Sequence, residues 1–181
     1  MLNLKTDLFR KNFLFCKLMY KDSKSKENIA SLSKNYREAD KEAFKQQLIL
    51  KLAFIELSGW IESALDEIYI SIGTTNIEKE LIERHIKYNN GFKEKNITSC
   101  LRYCLGDLRY GKLKKIYIGS SDKTIFFKKL EDLAEYRNEY AHTCLDAGAL
   151  PGGQPGMQQI QSDFLFLLKN LIALQNNLNT I

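Results

Sequence analysis

Apolar positions recur along this chain at the three-to-four-residue spacing of a helix, and the strict alternation of a half-buried strand is scarce. In the longest such run, residues 36–72, Phe44, Leu48 and Leu52 follow one line and Ile49, Ala53, Leu57, Trp60, Ala64 and Ile68 another. Together they cover more than one stripe, which predicts a long helix at the centre of a bundle. Ahead of it, residues 3–20 predict a first helix capped by Asn3, with Leu4, Leu8, Phe15 and Leu18 among its apolar positions. The polar run Lys21-Asp22-Ser23-Lys24-Ser25-Lys26 breaks that pattern. The chain therefore divides into an N-terminal helix and linker, 1–35, and a helical domain, 36–181; the opening helix is either an appendage or part of a dimer surface.

Further along, Gly73 stops the long helix and Asn76 is expected to cap a short one through Tyr88, carrying Ile77, Leu81 and Ile82, with Asn89-Asn90-Gly91 ending it. His85 lies on this charged segment and reads as a surface residue. A helix is expected over 98–110 with Leu101, Leu105 and Leu108 turned inward, weakened at its end by Gly106 and Gly111. Residues 113–119, LKKIYIG, read as a short strand or an irregular loop. Residues 146–158 hold both prolines and four of the ten glycines and cannot continue a helix. Such a loop is either a plain connection or a gate over a neighbouring site. The last helix, 163–178, has Phe164, Leu167, Leu171 and Leu174 on a wide apolar face. The expected fold class is all-α, a helical bundle with an extra N-terminal helix.

Residues 124–145 change the picture from fold to chemistry. On a helix here, Phe126, Leu130, Leu133, Ala134, Tyr140 and Ala141 gather on one side, and Arg137 falls in the middle of that side. A guanidinium stays charged in a protein, and an unpaired buried charge costs several kcal/mol, so Arg137 requires an anionic partner or an anionic ligand. Glu56 and Glu67, at the edge of the Trp60 stripe, are candidate structural partners. His142, one of only two histidines, sits where the helical pattern runs out. Its ordinary pKa lies near neutrality, which suits proton transfer.

The string Arg137-Asn138-Glu139-Tyr140-Ala141-His142 resembles the R-x4-6-H motif of the HEPN superfamily, with Asn138 as the polar residue that often follows the arginine. The earlier segment FIELSGWIESAL, starting at Phe54, resembles the first core helix of these domains, particularly those of the RiboL-PSP-associated group. The resemblance covers roughly residues 41–178. It departs from the nucleotidyltransferase-linked branch, which places a tyrosine two positions after the histidine, where this chain has Cys144. HEPN domains are small and all-α, and many are metal-independent ribonucleases of toxin–antitoxin, phage-defence and RNA-processing systems. The resemblance thus implies an endoribonuclease that needs no cofactor, with Arg137, Asn138 and His142 as catalytic residues. It also implies a homodimer whose paired motifs form one cleft, and an antitoxin or defence-system partner.

Metal-free RNA cleavage requires a base for the 2′-hydroxyl, a proton donor for the leaving oxygen, and positive charge on the phosphate. Arg137 suits the last and His142 either proton role. The expected product is a 2′,3′-cyclic phosphate. Residues five apart on a regular helix point about 140° away from each other. Arg137 and His142 can therefore share a site only if the helix breaks between them or if two chains meet.

Charge is regional. Residues 93–129 carry ten Lys/Arg against three Asp/Glu, an excess of seven in a chain whose formal net charge is +5. Lys112, Lys114, Lys115, Lys128 and Lys129 are candidate RNA contacts, because phosphate neutralisation supplies most non-specific affinity. A solvated face accounts equally well for such a run. Tyr103, Tyr110 and Tyr117 are interleaved and are either base-stacking platforms or core.

At 181 residues and 44% hydrophobic content the chain has enough apolar material for a single core. The only apolar run near its start, Phe13 to Cys16, is broken by charge on both sides, so neither a signal peptide nor a membrane span is expected, and the expected location is the cytoplasm. Four cysteines are too few and too scattered for a secreted disulfide scaffold. Cys100 and Cys104, one helical turn apart, could face a ligand together, although reduced and buried thiols are the simpler reading. Three functions compete: an endoribonuclease, a non-cleaving HEPN module that binds RNA or a protein, and a structural domain in which Arg137 is an internal ion pair.

Overall fold

The computed structural model describes residues 6–89, 91–118, 121–142 and 156–181, with 121, 122 and 140–142 described by their backbone alone. Among these residues the protein is all-α: α1 (Thr6–Leu32), α2 (Tyr36–Ile72), α3 (Asn76–Tyr88), α4 (Glu94–Leu113), a π-helical turn (Lys114–Ile118), α5 (Ser121–His142) and α6 (Met157–Leu178).

The 37-residue α2 is the axis of the bundle, and its limits coincide with the expected 36–72. Asn35 starts it, its side chain accepting from the Glu38 N–H at 3.3 Å. Ala53, Phe54, Leu57, Ile61 and Ile68 are fully enclosed. The other apolar line is not: Phe44, Leu48 and Leu52 are exposed. One helix of this length presents both a core face and an apolar outer face, and periodicity cannot say which line neighbouring helices cover.

The first helix corrects the sequence reading. It does not stop at a polar linker but runs through Lys21–Lys26 to Leu32. The reason is tertiary: α1 lies antiparallel along α2, stitched by Asn12 donating to Glu56 (3.0 Å), Ser23 donating to Glu42 (2.8 Å) and Gln46 donating to Glu27 (2.7 Å). Polar residues make these bonds, so a polar run continues the helix. Its core side is Phe9, Phe13 and Cys16, while Leu8, Phe15 and Leu18 are exposed. Phe9 meets Phe164 at 4.5 Å and Trp60 at 5.7 Å between ring centroids, which ties α1 into the same hydrophobic core as α2 and α6. Asn3, the expected cap, lies outside the described residues.

Thr75 rather than Asn76 caps α3, in a capping box with Glu78 that holds the Glu78 carboxyl below its ordinary pKa through hydrogen bonds from the Thr74 side chain and backbone and from Thr75. Only Ile82 and Ile86 of α3 are buried; Ile77 and Leu81 are exposed. In α4, Gly106 has φ 68° and ψ 166°, a break that shifts the register beyond it. Leu101 and Leu105 precede the break and point inward, whereas Leu108 follows it and is 87% exposed, contrary to expectation. The segment expected as a strand or irregular loop is the π-helical turn, pinned by Tyr117, whose hydroxyl donates to the Asn170 carbonyl at 2.6 Å.

α6 begins at Met157, two residues inside the stretch expected as a loop, and packs antiparallel to α5. Lys123 reaches Asn170 at 2.8 Å and Lys129 reaches Asp163 at 2.6 Å. The greater part of that expected loop and Cys144 lie outside the described residues. No helix among the described residues is long and apolar enough to cross a membrane.

Candidate active site

Helix α5 carries the Arg137 motif, and its register is set by Phe126, Leu130 and Leu133, all fully or almost fully buried. Arg137 continues that same face, one and two turns past Leu133 and Leu130, at the rim where the core opens. Its side chain is 42% exposed, not enclosed. Nη1 donates to Glu62 Oε1 of α2 at 2.6 Å. The partner is thus neither Glu56 nor Glu67, the two carboxylates the sequence pointed to. Glu56 faces α1, where it accepts from Asn12. Six residues at 100° each place Glu62 about 120° around α2 from Glu56, on the flank that meets α5. Arg137 has no other protein partner among the described residues, so most of its five N–H donors remain available to a ligand.

Asn138 is exposed beside it. The backbone of α5 remains helical through His142, so no break separates positions 137 and 142. They are rotated about 140° from each other around one axis. The His142 side chain lies outside the described residues. Within one chain the unbroken helix therefore does not turn positions 137 and 142 to the same side.

Tyr136, next to Arg137, packs on Phe54 with ring centroids 5.8 Å apart and helps line a groove of about 370 Å³ with Lys129, Asp132, Gln159 and the start of α6 at Gly156. On the other side, Glu62 lines a cavity of about 90 Å³ together with Asp66 and Tyr69, one and two turns further along α2. Asp66 is half-buried, and that burial first, then the charge of Glu62, raises its carboxyl pKa. Tyr69 is buried, its hydroxyl has no hydrogen-bond partner among the described residues, and burial pushes its pKa well up. Sequence reasoning missed all three. Their signal was available in the i, i+4, i+7 spacing of polar groups on one side of α2, but it carries no information on which helix faces them.

The candidate RNA-binding lysines separate into two kinds. Lys112, Lys114, Lys115 and Lys128 are exposed. Lys129 is bound to the buried carboxylate of Asp163 and is a structural cation. Lys114 and Lys115 precede the first turn of α5, and at 1.5 Å per residue about 24 Å of helix separates position 121 from Arg137. The basic end and the arginine are therefore at opposite ends of one helix, not side by side. Of the three tyrosines, Tyr117 is buried under Lys123, whose Nζ lies 4.1 Å from its ring centroid. Tyr110 packs against the core. Tyr103 is stacked at 3.8 Å on His85, which is half-buried and not the surface residue expected.

Cys100 and Cys104 are near each other on α4, and burial raises both thiols, Cys104 to about 12. They are protonated at neutral pH. No group of three or more His, Cys, Asp or Glu side chains among the described residues is placed to hold a metal ion. No family model, curated protein or solved structure matches the chain.

Proposed function

We propose that this protein is a metal-independent endoribonuclease of HEPN type, a toxin or defence effector, in which Arg137 grips the scissile phosphate and His142 of a second copy exchanges the proton. One observation carries the reading: within an Arg-Asn-x3-His string, the arginine stands half-exposed at the rim of the core with a single carboxylate on one nitrogen. That geometry leaves a cationic fork open to a phosphodiester, whose charge builds as the 2′-oxygen attacks. Asn138, on the next position, would orient the phosphate or the imidazole through its amide. The exposed lysines at the far end of α5 would guide the rest of the strand.

The register of α5 supports pairing of two chains, because one unbroken helix cannot turn both groups into one cleft. The same register favours a second reading, a non-cleaving module in which Glu62 keeps Arg137 for structure and the basic end binds RNA. Incubating the purified chain with single-stranded RNA in EDTA separates the two. Cleavage to 2′,3′-cyclic phosphate ends that stops in both Arg137→Ala and His142→Ala supports the nuclease; salt-sensitive binding without any cleavage selects the module.

A further inference from the structure

The outer side of the α1–α2 pair carries an apolar seam that the core does not use. Leu8, Phe15 and Met19 fall on one line of α1, and Leu48, Leu52 and Ile55 on one line of α2. Spacings of four and seven residues in both are those of helices that pack along their length. Asn12, on the α1 line, donates to Glu56 of α2 at 3.0 Å, and Leu8, Asn12 and Ile55 border one groove of about 450 Å³. The two lines therefore make a single face. Its six large apolar side chains are each 40–62% exposed, so no helix among the described residues covers them. Together they expose the equivalent of about three whole side chains, about 450 Å² of apolar surface at about 150 Å² each. One side of a standard protein–protein interface is about 800 Å², a little over half of it apolar. This face supplies that apolar share.

We propose that a second copy of the chain docks on this face, the two α1–α2 hairpins closing into a four-helix bundle about a two-fold axis. An antiparallel helix pair with a seam of this spacing on its outer side is half of such a bundle, and the same face on both copies is self-complementary. Gly59 adds a second observation. It lies in the middle of the 37-residue α2 and borders the same groove. Glycine weakens a helix interior, yet an added Cβ at Gly59 would meet nothing within 4 Å. No neighbour in this chain requires the glycine; the close approach of a second backbone does. Glu62 continues the α2 line, seven residues after Ile55 and about 4.5 Å along the helix from Gly59. The face therefore runs into the rim where Arg137 is held, and docking there sets the two Arg137–Glu62 pairs on either side of one axis. The inference names the surface through which the second copy of the nuclease reading arrives; it rests on that reading for the use of the pairing at the rim, not for the pairing itself.

The test is sedimentation of the purified full chain from low to high micromolar concentration. The parent should run at twice the mass of one chain. Ile55→Glu, which puts a charge into the seam, should run as a monomer with an unchanged circular dichroism spectrum. Gly59→Leu meets no atom of its own chain, so it should fold as well as the parent and raise the dimer dissociation constant about tenfold or more by overpacking the contact. Ile77→Glu, at an exposed apolar position of α3 away from this face, should leave the dimer intact. A parent that is monomeric throughout, whether or not it then binds lipid vesicles or another protein, overturns the assignment. So does a dimer that survives both Ile55→Glu and Gly59→Leu, or one that Ile77→Glu dissociates equally well. A dimer that these variants break but that cuts no RNA defeats the nuclease and keeps the interface; RNA cleavage by an Ile55→Glu chain that is still dimeric does the reverse.

Discussion

Arg137 Nη1 and Glu62 Oε1 lie 2.6 Å apart, joining α5 to the middle of α2 at the edge of the core. Both side chains retain access to solvent, 42% and 25%, so the pair belongs to the class worth about 0–1 kcal/mol and not to buried pairs that cost several when broken. Its importance is then electrostatic control of the guanidinium.

Glu62→Gln should accordingly leave the urea midpoint almost unchanged, by less than about 1 kcal/mol, while raising RNA affinity because Arg137 loses its competing anion. Filter binding at fixed salt, with the parent alongside, measures it; weaker binding in the variant would show that Glu62 presents the arginine instead of restraining it.

Asp66 gives a pH signature with a definite sign. Its carboxyl is raised above the ordinary 3.8 by burial and then by Glu62, so the folded chain holds that proton to higher pH than the unfolded chain does. Stability therefore falls as pH rises from the ordinary aspartate value through the folded one. Asp66→Asn should remove that component: denaturation midpoints collected from mildly acid to neutral pH should diverge in favour of the variant, and parallel curves would contradict it.

The basic residues should divide by function. Replacing Lys112, Lys114, Lys115 and Lys128 with glutamine should lower the salt slope of single-stranded RNA binding by about 0.7 for each phosphate that is no longer neutralised, with little change in melting temperature. Lys129→Gln should instead destabilise the fold, because among the described residues it leaves the buried carboxylate of Asp163 with only Gln159 as a donor. Thermal melts of the two sets, run together, decide this.

Gly106 adopts φ 68°, ψ 166°, a region essentially closed to other residues, although an added Cβ would meet nothing within 4 Å. Gly106→Ala should therefore cost about 1–3 kcal/mol through backbone strain alone. An unchanged midpoint would mean that α4 straightens and re-registers Leu108. For scale, Leu130→Ala on the fully buried face of α5 should cost about 2–5 kcal/mol.

What the chain determined by itself is what depends on neighbours in sequence. Helical spacing located α2, and the apolar line Phe126, Leu130 and Leu133 set which side of α5 carries Arg137. Stop signals at Gly73 and Asn89 needed nothing beyond local backbone chemistry. What only the tertiary structure decided is what depends on which helix covers which face. A polar run in α1 stays helical because Ser23 and Glu27 bond to α2. Arg137 meets Glu62 and not Glu56 because α1 and α5 occupy different flanks of one helix. Lys112, Lys114 and Lys115, which seemed continuous with the motif, lie before the start of α5 and are separated from Arg137 by most of its length, since nearness in sequence along a helix becomes distance in space at 1.5 Å per residue.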